Sequence, residues 1–583
     1  MEMTLVSIVG VSSIVAVAAF SKRLGLAAPL SLVVVGIALS FVPGVPALAV
    51  EPEWVLAGVL PPLLYSSAVN MPASDFRRNI KAISGLAVLL VAVTTLGAGW
   101  LFHWLMPGLG WPAAFALGAV VSPTDAVAAT SMGKQLGLPS RLLTMLEGEG
   151  LVNDASALVL LRSAIAAMAG TVSLAGVAGN FLFSVALATV VGIVVGLVNV
   201  RVRALLKDSL LNTAISFVVP FVAFLPAEEF HASGVLAVVV AGLVTGHQAP
   251  RFLSAQDRLA EAMNWRTLAF LLESAVFLLM GLGLKGLLDQ VATDGLSAWR
   301  ALFIGLAAAA LVIVARMVFV APLIASLHKD AQRAAASKPR LDWLMDRLGA
   351  PESEQQANPL RPRRELTPRR REQMKERVTR ASADADFKVN ENLGWRSGVA
   401  LAWAGMRGAI TVAAAQTLPE DTPYRPQLLL IAFVVATTTL LLQGLTLPAV
   451  IRKVKISGDD PVRFREEYRR LLEEAAEAGR AVLEEPGLVR ADGSPYAPEV
   501  LAKVREDARL DRKDEAGAVP AIDGAREQYV DLRLGVIAAS RDAVLAARST
   551  GVYSSQAINQ AQRGLDLDEA MFQRLSAGAG AGH

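Results

Sequence analysis

The sequence predicts an all-α polytopic membrane protein of about thirteen spans, followed by a helical C-terminal region in water, and three observations predict it. The 583 residues are 54% apolar with a mean hydropathy of +0.46, too apolar for a soluble chain whose polar surface must cover its core. Apolar runs of roughly 20 residues, each long enough to cross a hydrocarbon layer as a helix, recur from Thr4 to Ile451 and then stop. Between the runs, Lys and Arg gather on alternate connections.

The runs lie near 4–20, 26–43, 54–70, 82–106, 111–131, 141–168, 174–199, 209–227, 232–246, 264–285, 298–327, 397–417 and 426–451, bounded by charge or by Pro and Gly. Met1 to Phe20 lacks a basic leader and an Ala-x-Ala cleavage pattern, so it reads as the first span. Lys22 and Arg23, Arg77, Arg78 and Lys81, Lys134 and Arg141, Arg201, Arg203 and Lys207, and Arg251 and Arg258 share one side. The 329–393 stretch and Arg452, Lys453 and Lys455 fall there too, against Lys285 and Arg300 opposite. Cytoplasmic connections carry the basic excess, so the N-terminus is expected outside and the tail inside. The net charge of +3 then follows from topology and implies no nucleic acid partner, while the lack of cysteine excludes disulfides and thiolate metal sites.

Four segments are expected: a membrane domain over 1–328, a basic cytoplasmic loop over 329–393, the last two spans over 394–455 and a helical tail over 456–583. The loop carries Arg361 to Arg364 and Arg369 to Arg371; it reads as a solvated linker with some helix, anionic-lipid contact or regulation being the other reading. The tail sets Glu466, Glu467, Arg469 and Arg470 beside Leu471 and Leu472, a helical mixture, and residues 577–583 are expected to fray.

An ionisable side chain at mid-bilayer costs about 2.5–3.5 kcal/mol on insertion scales, so those that persist are functional candidates. They are Asp125 in the fifth run, Glu147, Glu149 and Asp154 in the sixth, Glu273 in the tenth, Arg316 in the eleventh and Arg407 in the twelfth. Arg162, near the outer end of the sixth, reads as snorkelling. Ser122-Pro123-Thr124-Asp125 puts a proline inside an apolar helix and breaks it. Freed backbone there can coordinate a cation, and a carboxylate can neutralise the half-helix N-terminus. Gly405-Met406-Arg407-Gly408-Ala409 weakens the twelfth run in the corresponding place, which points to inverted repeats with two broken helices crossing at the membrane centre. Within Glu147 to Asp154, Gly150 and Asp154 lie one turn apart, as do Glu149 and Asn153, giving adjacent polar stripes. Burial disfavours the charged form of Asp154, so a proton and a cation compete for it. If only one can occupy it while it alternates between sides, passage of one obliges return of the other. Glu149 reads as the structural partner of a buried arginine, and Glu273 as either a satisfied carboxyl or an ion-path residue.

These motifs resemble the bacterial NhaP-type and animal NHE-type sodium/proton exchangers over most of residues 1–451. Besides residues 122–125 and 148–154, the likeness takes in Leu60-Pro61-Pro62-Leu63-Leu64, Ser233-Gly234-Val235-Leu236-Ala237, Gly405 to Ala409, and Leu442-Gln443-Gly444-Leu445-Thr446-Leu447-Pro448, in the family's order. The resemblance implies a homodimeric antiporter of the bacterial inner membrane, built of inverted repeats and exchanging Na+, Li+ or K+ for H+ without a cofactor and without enzymatic chemistry. It implies Asp154 as the carrier of cation and proton, Asn153 as its neutral neighbour, and Thr124 and Asp125 in the helix crossover. Glu149 would pair with Arg316, and Arg407 would steady the other broken helix. Charge-moving relatives carry aspartate where Asn153 stands, so electroneutral exchange is expected. Two positions depart from close relatives: Gly150 stands for a serine and Ser66 for an acidic residue. A hydroxyl and a carboxylate that help hold the ion are thereby missing, which favours potassium or a more hydrated site.

Two other classes compete. A cation channel or uniporter needs a continuous pore with carbonyl or carboxylate rings, and the sequence has no filter-like repeat. A membrane-embedded enzyme needs a cluster of bases, whereas His103, His231, His247, His328 and His583 are scattered.

Overall fold

The computed structural model describes residues 2–43, 51–170, 174–206, 208–349, 368–490, 492–510 and 524–580. Lys207, Arg361 to Arg364 and His583 lie outside the described residues. Regular structure among the described residues is helical, with one isolated bridge between Val489 and Pro495. The chain divides into two compact units, one of Met1–Phe252, Glu261–Lys329 and Asn392–Gly458, the other of Leu253–Ala260, Asp330–Glu391 and Asp459–His583.

The first unit opens with α1 (Glu2–Leu24) and α2 (Ala28–Ser40); a π-wound stretch (Trp54–Val59) then leads into α3 (Leu60–Asn70). α4 (Ala73–Ser84) and α5 (Val91–Leu105) run together as one helix through a second π-wound stretch. α6 (Trp111–Val121), α7 (Val127–Gln135), α8 (Ser140–Ala169), α9 (Leu174–Ala204), α10 (Ser209–Glu229) and α11 (Gly234–Phe252) follow. α12 (Ala255–Leu282), α13 (Leu284–Thr293) and α14 (Ala298–Gly349) come next. After α15 (Pro368–Asn390), α16 (Trp395–Trp403), α17 (Ala409–Gln416) and α18 (Arg425–Val454) complete the first unit. Among the described residues eight helices are long and apolar enough to cross a membrane, accompanied by shorter apolar helices over Gly10–Ser21, Ala28–Ser40, Trp54–Asn70 and Trp111–Val121.

The predicted fifth and twelfth runs are each two short helices, α6 with α7 and α16 with α17. Two other runs are longer than hydropathy suggests. The tenth begins at Ala255, and the eleventh continues to Gly349, 52 residues in all. Apolar sequence ends near Leu327, but Ala331, Arg333 and Ala334 to Ala336 are strong helix formers in water, so the helix outlasts its apolar part.

Lipid offers no hydrophobic drive for helix association, so small residues bring backbones together. A Cβ on Gly36 of α2 would stand 3.0 Å from the Cα of Gly281 on α12, and one on Gly196 of α9 would stand 2.9 Å from Ala241 O of α11. Leu60, Tyr65, Val219, Val235 and Trp265 form an apolar cluster of α3, α10, α11 and α12. Polar bonds thread it: Asn199 of α9 donates to Tyr65 Oη at 3.2 Å and Thr245 Oγ1 at 3.1 Å, and Trp265 Nε1 donates to Ser216 Oγ at 3.1 Å. Arg203, read from the sequence as a cytoplasmic-side charge, is fully buried and forks onto Glu261 at 3.0 and 2.8 Å.

The second unit contains the end of α14, α15, α19 (Pro461–Leu483), α20 (Pro498–Leu510), α21 (Ala525–Thr550) and α22 (Ser555–Gly580), together with the first turn of α12. Asp460 caps α19, accepting from Val462 N at 2.9 Å. Leu483, Val500, Val504, Tyr529, Ile537 and Phe572 form its main core. Asp507 is buried against it, accepting from Tyr529 Oη at 2.7 Å and pairing with Lys503 at 3.2 Å. Burial, then that hydrogen bond, pushes the Tyr529 phenol up to about 12, so it remains a donor at neutral pH.

Candidate functional site

Pro123 brings no amide hydrogen to continue the ladder, and α6 ends with Ser122 as its cap. Ser122 Oγ donates to Gly118 O at 2.8 Å and receives Thr94 Oγ1 at 2.9 Å, with Thr95 Oγ1 at 3.0 Å, so the frayed turn is held from α5. The second interruption, Ala404 to Gly408, crosses this one: Asp125 N donates to Met406 O at 2.7 Å.

Each helix end at the crossing meets a side chain of opposite charge. At the C-terminal end of α6, Val121 O and Ser122 O accept from Arg407 Nε at 3.2 Å and Nη2 at 3.3 Å; Arg407 also donates to Gly405 O at 2.6 Å. Toward the end of α16, Leu401 O accepts from Arg316 Nε at 3.1 Å and Nη2 at 3.0 Å. At the start of α7, Asp125 Oδ1 accepts from Val127 N at 2.8 Å. The same carboxylate packs on Gly408, the residue before α17, where a Cβ would stand 2.8 Å from Asp125 Cγ. Asp125 therefore faces two helix starts.

α8 passes beside this crossing. Glu149, 2% exposed, is forked by Arg316, with Nη2 to Oε2 at 2.8 Å and a second bond from Nη1 to Oε1. Thr124 Oγ1 donates to Glu149 Oε1 at 2.6 Å. One turn on, Asn153 donates to Thr124 O at 2.7 Å and Thr124 Oγ1 at 3.0 Å. Asn153 Oδ1 is buried and takes no hydrogen bond among the described residues. Asp154, 7% exposed, has neither a hydrogen bond nor an ion pair among the described residues. Glu273 lies on α12. Glu273 leads a helical stripe with Val276, Phe277 and Met280, all buried, and it too has no bonded partner among the described residues.

The two departures from the family pattern have distinct settings. A Cβ on Gly150 would stand 2.9 Å from the Cβ of Ala126, so the space a serine would occupy is taken by the residue before α7. Ser66 is buried on α3 beside Tyr65. Glu147 is partly exposed and pairs with Lys134 at 2.7 Å, and Arg162 pairs with Glu228. Hydroxyls on Thr94, Thr95, Ser122 and Thr439 also brace the crossing, Thr439 Oγ1 accepting from Arg407 N at 3.2 Å. Their only signal in the sequence is a small polar residue inside an apolar run.

The transmembrane family described as sodium/hydrogen exchanger matches residues 10–343 and 376–453. An uncharacterised Na+/H+ exchanger of Mycobacterium tuberculosis is 27% identical over 580 residues, 96% of this chain and 95% of that one. The low-affinity Na+/H+ antiporter NhaS1 of Synechocystis is 29% identical over 454 residues, 76% of this chain and 72% of its own length. A sodium, potassium, lithium and rubidium/H+ antiporter of Bacillus pumilus is 33% identical over 262 residues, 44% of this chain and 39% of its own length. Among solved structures, the sodium proton antiporter MjNhaP1 of Methanocaldococcus jannaschii has a TM-score of 0.53 at 16% identity, covering 78% of this chain and 96% of that one, a likeness of fold. The family match takes in both interruptions and the charged side chains around them, and the chain belongs to the sodium/hydrogen exchanger family.

Proposed function

We propose that this protein exchanges a monovalent cation for a proton by alternating access, with Asp154 as the seat both ions use. Family membership and the named antiport of the Synechocystis and Bacillus relatives support cation/proton exchange. The observation that carries the role of Asp154 is its isolation: it is buried, yet no arginine, lysine or hydrogen-bond donor among the described residues compensates it. A buried carboxylate left charged is costly, and either a proton or a bound cation removes that cost. Occupancy by one excludes the other, so carrying each in turn across the barrier couples their flows.

Electroneutral exchange follows from the same inventory. Asn153 is neutral and Glu149 is tied to Arg316, which leaves Asp154 as the carboxylate on α8 free to alternate between a proton and a univalent cation. Asn153 Oδ1, Thr124 and Asp125 supply further oxygens near the crossing, and Glu273 is assigned to the ion path. With Gly150 and Ser66 in place of stronger ligands, potassium is expected to compete with sodium and lithium more effectively than in relatives that keep both groups. The positive-inside pattern supports an external N-terminus and a cytoplasmic tail in a bacterial inner membrane, and the apolar face of α9 (Phe183, Val190, Val194, Val198) is assigned to lipid or a second copy.

In everted vesicles, added Na+, Li+ or K+ should drive proton movement with wild type and none with Asp154→Asn at equal membrane abundance. A cation-driven pH change in the Asn variant ends the assignment. With equal potassium present throughout, adding valinomycin to clamp the potential should leave the wild-type rate with Na+ unchanged; voltage dependence would refute the one-for-one ratio.

A further inference from the structure

Gln443 of α18 is fully buried, and neither Nε2 nor Oε1 of its amide has a hydrogen-bond partner among the described residues. An amide taken out of water without replacement bonds is costly, and such groups are rare in folded chains. Leucine or methionine would fill similar space without that cost.

The neighbours of Gln443 on α18 show what it faces, because residues three and four apart share one side of a helix. Thr439, four residues before it, accepts from Arg407 N at 3.2 Å. Thr446, three residues after it, accepts from Trp403 Nε1 at 2.9 Å. Trp403 ends α16, and Arg407 stands just before the start of α17. Gln443 lies between these two contacts and so faces the C-terminal end of α16.

The last carbonyls of a helix lack intrahelical donors. At the end of α16, Ala400 O accepts from Ala404 N at 2.8 Å, and Leu401 O accepts from Arg316 at 3.1 and 3.0 Å. Ala402 O and Trp403 O accept from no group among the described residues. The place thus offers three acceptor oxygens and one donor nitrogen, and it calls for a ligand that both donates and accepts. Arg316 at Leu401 O and Arg407 at Gly405 O put positive charge on either side, which disfavours a cation. Water is neutral, fits a closed core and makes about three hydrogen bonds when buried.

We propose that Gln443 binds buried water that closes the C-terminal end of α16. Water there accepts from Gln443 Nε2 and donates to Gln443 Oε1, Ala402 O and Trp403 O, tying the last turn of α16 to α18. Leu401 O of that turn holds Arg316, which forks Glu149, so the water steadies the charge pair from behind. The site does not involve Asp154 and stands whether or not the antiport reading does.

X-ray radiolysis of the full-length protein in heavy-oxygen water makes hydroxyl radicals from bound water, and these oxidise the side chains beside it. Met406, fully buried in the same stretch, should take up the heavy oxygen in wild type. Gln443→Leu should abolish that label and lower the thermal unfolding midpoint of the detergent-solubilised protein. Gln443→Met, closer to glutamine in shape, should do the same and serves where the leucine variant does not fold. An unlabelled Met406 in wild type, equal labelling in the folded variants, or a midpoint left unchanged or raised overturns the site. A raised midpoint is what an amide with no partner predicts, since removing it relieves a cost.

Discussion

Glu149 and Asp154 lie about one and a half turns apart on one helix, both buried, and they are opposites. Glu149 has every requirement of a buried carboxylate met, a guanidinium fork and a hydroxyl donor. Asp154 has none among the described residues. The first has a fixed positive partner; the second has none, and in the proposed reading a mobile ion takes that place. Burial alone does not set the two apart; the proposed carrier role rests on burial without compensation.

The largest expected effect tests that contrast at its free end. Asp154→Asn should reduce exchange to background while the detergent-solubilised protein keeps its thermal unfolding temperature or raises it, because the substitution removes an uncompensated charge. A folded variant that still exchanges erases the distinction between the two carboxylates. At the fixed end, Glu149→Ala and Arg316→Ala should each destabilise by about 3–5 kcal/mol, since each leaves a buried charge alone. The pair Glu149→Gln with Arg316→Met should lose less than either single, read from unfolding midpoints; additive losses would mean the two side chains do not act as a pair. Thr124→Val removes the hydroxyl shared by Glu149 and Asn153 and should cost about 1–3 kcal/mol. Spent on ion affinity, about 1.4 kcal/mol raises the half-saturating cation concentration tenfold at unchanged maximal rate. An unchanged concentration dependence would show that the bridge between the fixed and free ends is not used. Smallest is a control in the second unit, where Asp507 is satisfied by Tyr529 and Lys503. Tyr529→Phe should lower the stability of the tail by about 1 kcal/mol and leave exchange untouched.

Much of this was legible in the sequence because the bilayer imposes strong rules. Run length marked the spans, Pro123 marked the first interruption, and the glycines around Arg407 marked the second. Ionisable side chains in apolar runs single out Asp125, Glu149, Asp154, Arg316 and Arg407 from the sequence alone. What hydropathy could not give was partnership across distant sequence. Arg203 and Glu261 sit at the margins of their runs and look like connection charges, but the helices carry them inward onto each other. Glu147 pairs with Lys134, 13 residues earlier, which hydropathy does not show either. The length of α14 escaped for another reason: hydropathy reports where lipid ends, whereas helix propensity decides where the helix ends.

The reciprocal capping at the crossing has one more consequence. Arg407 stands in one interruption and ties off the carbonyls of the other, and Asp125 answers from its own interruption to the backbone at Met406. Neither half-helix can be withdrawn without stripping the other of its hydrogen bonds. The four short helices are therefore cross-stitched into a single piece, and under the proposed exchange whatever opens the site to one face of the membrane must carry all of them together.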